Sequence, residues 1–302
     1  MNQSPAQRST HDQRRPSGER YGRLIGVSLG PGDPGLITRR GWDALNGEAR
    51  WTYPVKKAGE VSYALDIALR GGLAVPADAV ALVFPMTTQA ELLARAWLKA
   101  AADTVALLAD GRDVLFLVEG DASTYSTFGH LARAVRELQA GIEVEVIAGV
   151  SSYCASAARI GTPIAEADET LAVFPASYGV EVIDHMLDEF DSLVLLKVKP
   201  MLEGVLDLLE KRGIAQHAVY IEKVGTPDER VVQDVLALRG EVIPYLSLML
   251  VKNPGREKQP TLRGCRSKTA AGSPGESVSN LVTSAATPAA TEVSAAQATT
   301  TA

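Results

Sequence analysis

Residues 113–127 read DVLFLVEGDASTYST. After Asp113 the first segment is an unbroken apolar run, with the length and the valine and leucine content of a strand buried on both faces. At Glu119-Gly120-Asp121 that run stops. Five hydroxyl-bearing side chains follow (Ser123, Thr124, Tyr125, Ser126 and Thr127), and helical spacing takes over at 128–139. Strand, polar loop and helix in succession are the repeating unit of a parallel sheet with helices on its faces. In such sheets ligands bind beyond the carboxyl ends of the strands, so this loop falls where chemistry is expected. Asp121 or a hydroxyl could serve as an ordinary helix cap. Yet two carboxylates, a glycine and five hydroxyls are dense for a mere connector.

The same unit recurs on both sides. Toward the N-terminus, 23–29 (RLIGVSL) is a strand candidate that ends in Gly30-Pro31-Gly32-Asp33-Pro34, with a helix expected over 36–45. Residues 79–84 (AVALVF) form another, stopped by Pro85, and 89–108 has helical spacing. Toward the C-terminus, a strand over 143–147 is broken by Ala148-Gly149-Val150-Ser151-Ser152 before a helix of small residues over 153–160. Further strands are expected at 170–174, 193–198 and 218–222, helices at 180–189 and 201–212, and a last strand or hairpin at 242–251. The pattern predicts an α/β protein of two domains, 21–140 and 141–256, divided before the strand at 143. Residues 1–20 read as a disordered leader. Residues 257–302, rich in Thr, Ala and Ser without aromatics, read as a low-complexity tail with too little apolar area to offset the entropy of ordering.

Composition removes several classes of function. The formal charge is -6 with no basic stripe, which argues against a nucleic-acid partner. No apolar stretch is long enough for a bilayer span, and the arginine-containing N-terminus lacks the apolar core of a secretory signal, so no membrane partner and a cytoplasmic location are expected. Two cysteines and four scattered histidines show neither disulfide nor ligand spacing, so no metal held by the protein is expected. The glycine-rich dinucleotide and P-loop signatures and the hydrolase elbow are all absent.

The other two loops admit two readings each. Gly30 to Pro34 is explained as a turn plus a helix start, with Asp33 as cap and Pro34 in the first turn. Alternatively, its glycines let backbone approach a ligand and present Asp33 at a cleft. In the loop at 148–152, small residues suit tight helix–sheet packing, and Ser151 and Ser152 suit ordinary caps as well as ligand contacts.

Taken in order, the three loops resemble those of the tetrapyrrole methylase family. Gly30 to Asp33 matches its G-P-G-D loop, Glu119 to Asp121 its E-G-D-P-like loop, and Gly149 to Ser152 its P-G-V-S-S-like loop. The resemblance spans about 23–252. Ala122 and Ala148 stand where the family usually or often has proline, and 197–199 only approximates a basic stretch. Segments 84–86, 121–128, 220–223 and 245–249 narrow the likeness to a branch acting in cobalamin synthesis, with or without cobalt in the substrate.

The resemblance implies the tetrapyrrole methylase fold, two α/β domains with the cofactor cleft between them. It further implies a homodimer and C-methylation of a reduced tetrapyrrole by S-adenosylmethionine. Pro31, Gly120, Asp121, Thr124, Ser151 and Ser152, with Lys197 and Glu222 from the second domain, would then contact the cofactor. Asp33 would be the catalytic or substrate-facing carboxylate. Arg39, Arg40, Lys56, Lys57 and Lys199 are candidates for the substrate's carboxylates. The alternatives are a sibling of the same fold, acting on another tetrapyrrole, diphthine or an RNA ribose, or a protein that binds the cofactor without turnover.

Overall fold

The computed structural model of the protein describes residues 20–87 and 89–256. The expected tail, and the expected leader apart from Arg20, lie outside the described residues. In chain order, the first part comprises β1 (Leu24–Ser28), α1 (Arg39–Leu45), β2 (Arg50–Val55), α2 (Tyr63–Arg70), β3 (Val80–Val83), α3 (Ala90–Leu108), β4 (Val114–Val118), α4 (Thr127–Leu138) and β5 (Val144–Ile147). Its strands form one parallel sheet in the order β3-β2-β4-β1-β5. Every residue of β1 and β4 is buried, as the unbroken apolar run of β4 requires.

Helices cover both faces of this sheet. On one, α4 presents Phe128, Leu131, Ala132 and Val135 at helical spacing, packed with Phe116 of β4 and Leu108 of α3. On the other, Ile67 and Ala68 of α2 pack with Trp51, Leu115 and Leu117. Gly26, in the middle of β1, is dictated by this packing, since a Cβ there would lie 2.6 Å from the Phe128 ring.

The second part contains α5 (Ser152–Ile160), β6 (Leu171–Pro175), α6 (Val180–Glu189), β7 (Ser192–Leu196), α7 (Leu202–Lys211), β8 (Ala218–Glu222), β9 (Arg230–Val232) and β10 (Ser247–Lys252). Its sheet has the order β6-β7-β10-β8-β9, in which only the β6–β7 pair is parallel. Leu195, Leu206, Leu209 and Tyr220 build its core with α6 and α7. On the opposite face Val194, Leu196, Ile221 and Leu248 pack with Leu36, Val150 and Tyr153, which joins the second sheet to the loops of the first.

Two expectations are corrected. The division at 140/141 would cut the first sheet, because β5 pairs with β1 from Leu24–Val144 to Val27–Ile147. The second sheet is mixed rather than parallel. Of the strand or hairpin expected over 242–251, the strand is found: β10, inserted between β7 and β8 and antiparallel to both. The sequence reading also passed over β2, α2 and β9. Pro54 makes β2 a poor strand on paper, but it falls just past Thr52, the last residue registered with β4, where the donor it lacks is not needed. The eight-residue α2 is marked by local signals: Ser62 Oγ accepts from the Leu65 amide at 3.4 Å, and Arg70 pairs with Asp66 at 2.8 Å.

Gly26→Ala is expected to destabilise the protein by about 1–3 kcal/mol through overpacking. Urea denaturation would measure this. A second change, Phe128→Leu, should recover part of the loss if the ring is the obstacle.

Candidate active site

The sheet order sets β4, β1 and β5 side by side, so the loops that leave their carboxyl ends emerge together. They are tied by backbone and by two side chains. Gly30 and Gly120 form an isolated antiparallel bridge, with N–H···O distances of 3.2 and 2.8 Å. Ser28 Oγ, fully buried, donates to the Ile147 carbonyl at 2.6 Å and accepts from the Ala122 amide at 2.9 Å. Asp121 accepts from the Gly149 amide at 2.7 Å and from the Ser123 amide at 2.9 Å, and also from the Ser123 and Thr124 hydroxyls. Gly149 has no room for a side chain, since a Cβ would lie 2.3 Å from that of Ser28.

These loops form one wall of a cleft of about 290 Å³. The opposite wall comes from the second sheet: Leu196 and Lys197 at the end of β7, Ile221, Lys223 and Val224 around the end of β8, and Tyr245 to Leu248 at the start of β10. Beyond the shared apolar cluster, the walls meet at further points. Gly32 packs on the Val224 carbonyl, which a Cβ would approach to 2.2 Å, and the Tyr125 hydroxyl donates to the Val173 carbonyl at 3.1 Å. Among the described residues four non-glycines have positive φ, and three of them, Tyr125, Lys197 and Lys223, line the cleft. Each such conformation costs of order 1 kcal/mol or more, and such residues concentrate at functional sites.

Two carboxylates in the cleft, two positions apart, have opposite environments. Burial would raise the pKa of Asp121, but hydrogen bonds from Ser123, Gly149 and Thr124 outweigh it and hold the group below the ordinary range. Glu119 makes no hydrogen bond to any described residue. It keeps some surface open to the cleft but is enclosed by protein on its other sides. Burial pushes its pKa up to about 7, against the opposing pull of Lys56 and Lys197. Tyr63, beside it, is raised by burial and then by the Glu119 charge.

Of the residues singled out from sequence, Pro31, Gly120, Asp121, Thr124, Ser151, Ser152 and Lys197 all line the cleft. Ser151 sits at the N-cap of α5 but makes no side-chain cap bond, so its hydroxyl is not consumed by the helix. Two residues lie off the lining. Asp33 is exposed, and its Oδ1 accepts from the Gly35 amide at 2.8 Å, as the turn-and-cap reading requires. Glu222 faces away from the lining and accepts from the Tyr220 hydroxyl. Arg39 is paired with Asp43 at 2.8 Å and Arg40 with Glu145, while Lys199 borders a separate surface depression beside Glu203 and Glu241. Sequence reasoning missed Tyr63 and Tyr245 as lining residues, and passed over Glu119 individually although it stands in the quoted loop. Positive φ, burial and partnership depend on chain segments far away, so no local signal announced them.

Comparison with known proteins agrees with this geometry. The family model described as Tetrapyrrole (Corrin/Porphyrin) Methylases matches residues 23–238, and the chain belongs to that family. Precorrin-2 C(20)-methyltransferase of Sinorhizobium sp. is 32% identical over 252 residues, covering 81% of this chain and all of that protein. Cobalt-precorrin-2 C(20)-methyltransferase of Salmonella typhimurium is 30% identical over 231 residues, covering 76% of this chain and 96% of that protein. Among solved structures, uroporphyrin-III C-methyl transferase from Thermus thermophilus, complexed with S-adenyl homocysteine, shares the fold. Its TM-score is 0.53 at 24% identity, over 76% of this chain and 97% of that one.

The Glu119 environment has a measurable signature. Its folded pKa is raised, so the unfolded chain ionises first as pH rises, and the stability cost grows from the unfolded value of 4.5 until it levels off above about 7. Glu119→Gln should therefore melt at a higher temperature than the unaltered chain at pH 8, with a gain of order 3 kcal/mol at most, and lose that gain toward pH 5. Thermal melts across this range would check the direction.

Proposed function

We propose that this methylase transfers a methyl group from S-adenosylmethionine to C20 of precorrin-2 or of its cobalt-containing counterpart, as a cytoplasmic homodimer. One observation carries the reading. Relatives named for that C(20) reaction are 30–32% identical to this chain over nearly their whole length.

The chemistry of the cleft suits this cofactor, which combines positive charges, a carboxylate and a hydroxylated sugar. Ser151 and Ser152 offer hydroxyls, and the first turn of α5 has amides without intrahelical partners, at the positive end of the helix. Pro31, Leu196, Ile221 and Leu248 supply apolar walls. When bound, S-adenosylmethionine supplies an electrophilic methyl group on a positively charged sulfur. The protein's share is to hold donor and acceptor in line and keep water out, which by itself can lower the barrier substantially. Lys197 and Lys56, whose charges both act on Glu119, are cations suited to the carboxylates of a tetrapyrrole.

The test is anaerobic incubation of the purified protein with S-adenosylmethionine and precorrin-2, with and without cobalt, read by mass spectrometry and NMR. One added methyl group at C20 is expected, and the better substrate of the two sets the metal preference. Methylation at another carbon, or none, would overturn the substrate assignment. Light scattering on the same preparation should give twice the chain mass if the protein is a homodimer.

A further inference from the structure

C-methylation of a ring carbon that carries one hydrogen releases a proton. The new C–C bond forms with electrons from the conjugated ring. Conjugation returns only when the C–H bond at that carbon breaks and leaves its electron pair in the ring. We propose that the carboxylate of Glu119 accepts this proton. The assignment rests on the C-methylation reading of the cleft and adds a catalytic residue to it.

Elimination among the groups that line the cleft leads there. Its described lining contains no histidine and no cysteine, and its only carboxylates are Glu119 and Asp121. Both oxygens of Asp121 are engaged in tying the loops together, so protonating it would undo the wall. Lys223 is an ammonium paired with Asp228 at 3.1 Å, and Lys197 is an ammonium 5.6 Å from the centre of the Tyr245 ring. Both side chains are thus already engaged by a neighbour. The hydroxyl of Tyr125 is spent on Val173. Tyr63, Tyr153 and Tyr245 offer phenols rather than carboxylates, and burial raises the pKa of Tyr63. Asp33 is exposed and off the lining.

Glu119 has the opposite properties. It stands on the lining just beyond the last residue of β4, so the sheet holds its backbone rigidly. Its carboxyl group bonds to no described residue and is free to take a proton. Lys56 and Lys197 favour its ionised form, Tyr63 also borders it, and Asp121 is the only other acid on the lining. Burial brings its pKa to about 7, where a base is roughly half ionised near neutral pH and strong enough to act there. One polypeptide turn thus separates a carboxylate used for structure from one available for proton transfer, the environmental split by which acid and base roles are commonly divided.

The experiment compares the full-length chain with Glu119→Gln and Glu119→Asp. It measures S-adenosylhomocysteine binding by calorimetry and single-turnover formation of methylated product across about pH 5.5 to 9, with precorrin-2 carrying hydrogen or deuterium at C20. For the unaltered chain the rate should fall on the acid side of a limb near pH 7. Glu119→Gln should bind S-adenosylhomocysteine within about threefold of the unaltered chain. It should lose the limb, form final product about 10²–10⁴-fold more slowly and acquire a primary isotope effect, because C–H cleavage becomes limiting. Glu119→Asp should recover part of the rate. A Glu119→Gln protein that keeps both rate and limb would overturn the assignment and leave the substrate reading standing. Lost S-adenosylhomocysteine binding in Glu119→Gln would also overturn it, by making Glu119 a cofactor-holding group. No methyl transfer by the unaltered chain would instead overturn the substrate reading, and this role with it.

Discussion

The cleft depends on the carboxylate of Asp121 and the hydroxyl of Ser28, which together hold three loops in one wall. Parallel strands bring their loops to the same edge but leave each loop's amides and carbonyls unsatisfied, and buried unsatisfied groups are costly. Here those groups satisfy one another. Asp121 takes the Gly149 amide, Ser28 joins Ala122 to Ile147, and Gly30 pairs with Gly120. Each bond crosses from one loop to another, so no loop can move without breaking a buried polar contact. The glycines follow from this closeness, since at Gly149 even a methyl group would collide with Ser28.

A wall built this way leaves little for side chains to do except face the ligand. Most of the loop's polarity is consumed internally, Asp121 included. What remains exposed to the cleft includes the Glu119 carboxyl, the Ser151 and Ser152 hydroxyls, and Lys197, Lys223 and Tyr245 of the facing wall. The contrast between Glu119 and Asp121 is electrostatic. Both are partly desolvated, but only Asp121 receives enough hydrogen bonds to make its charge comfortable, and Glu119 is left poised between its two forms.

The facing wall is assembled by different means. In the second sheet β10 enters from far along the chain and lies between β7 and β8. The Lys197 amide donates to Ser247 at 3.0 Å and the Lys223 amide to Leu246 at 2.9 Å, so the start of β10 pins both strand ends in left-handed conformations. Their cost is offset by the long ladder of β10 on both neighbours. It leaves Lys197, Lys223 and Tyr245 along the cleft, while the shared apolar cluster of Leu196, Ile221 and Leu248 with Leu36 and Val150 joins this wall to the first.

Much of this was determined by the sequence alone. The apolar runs of β1 and β4 could only be strands buried on both faces, and their alternation with amphipathic helices dictates a parallel sheet with loops at one edge. The three loops were legible as motifs, and seven of the nine residues drawn from them or from the second domain do line the cleft. Those signals are local, a matter of a few consecutive residues. The tertiary structure decided what depends on distant segments. It placed β5 in the first sheet, set β10 antiparallel inside the second, and turned Asp33 outward as a cap and Glu222 toward Tyr220. It also gave two acids of one loop opposite tasks, because a carboxylate's charge is governed by the donors and the burial that the rest of the chain brings to it, and these are not encoded next to it.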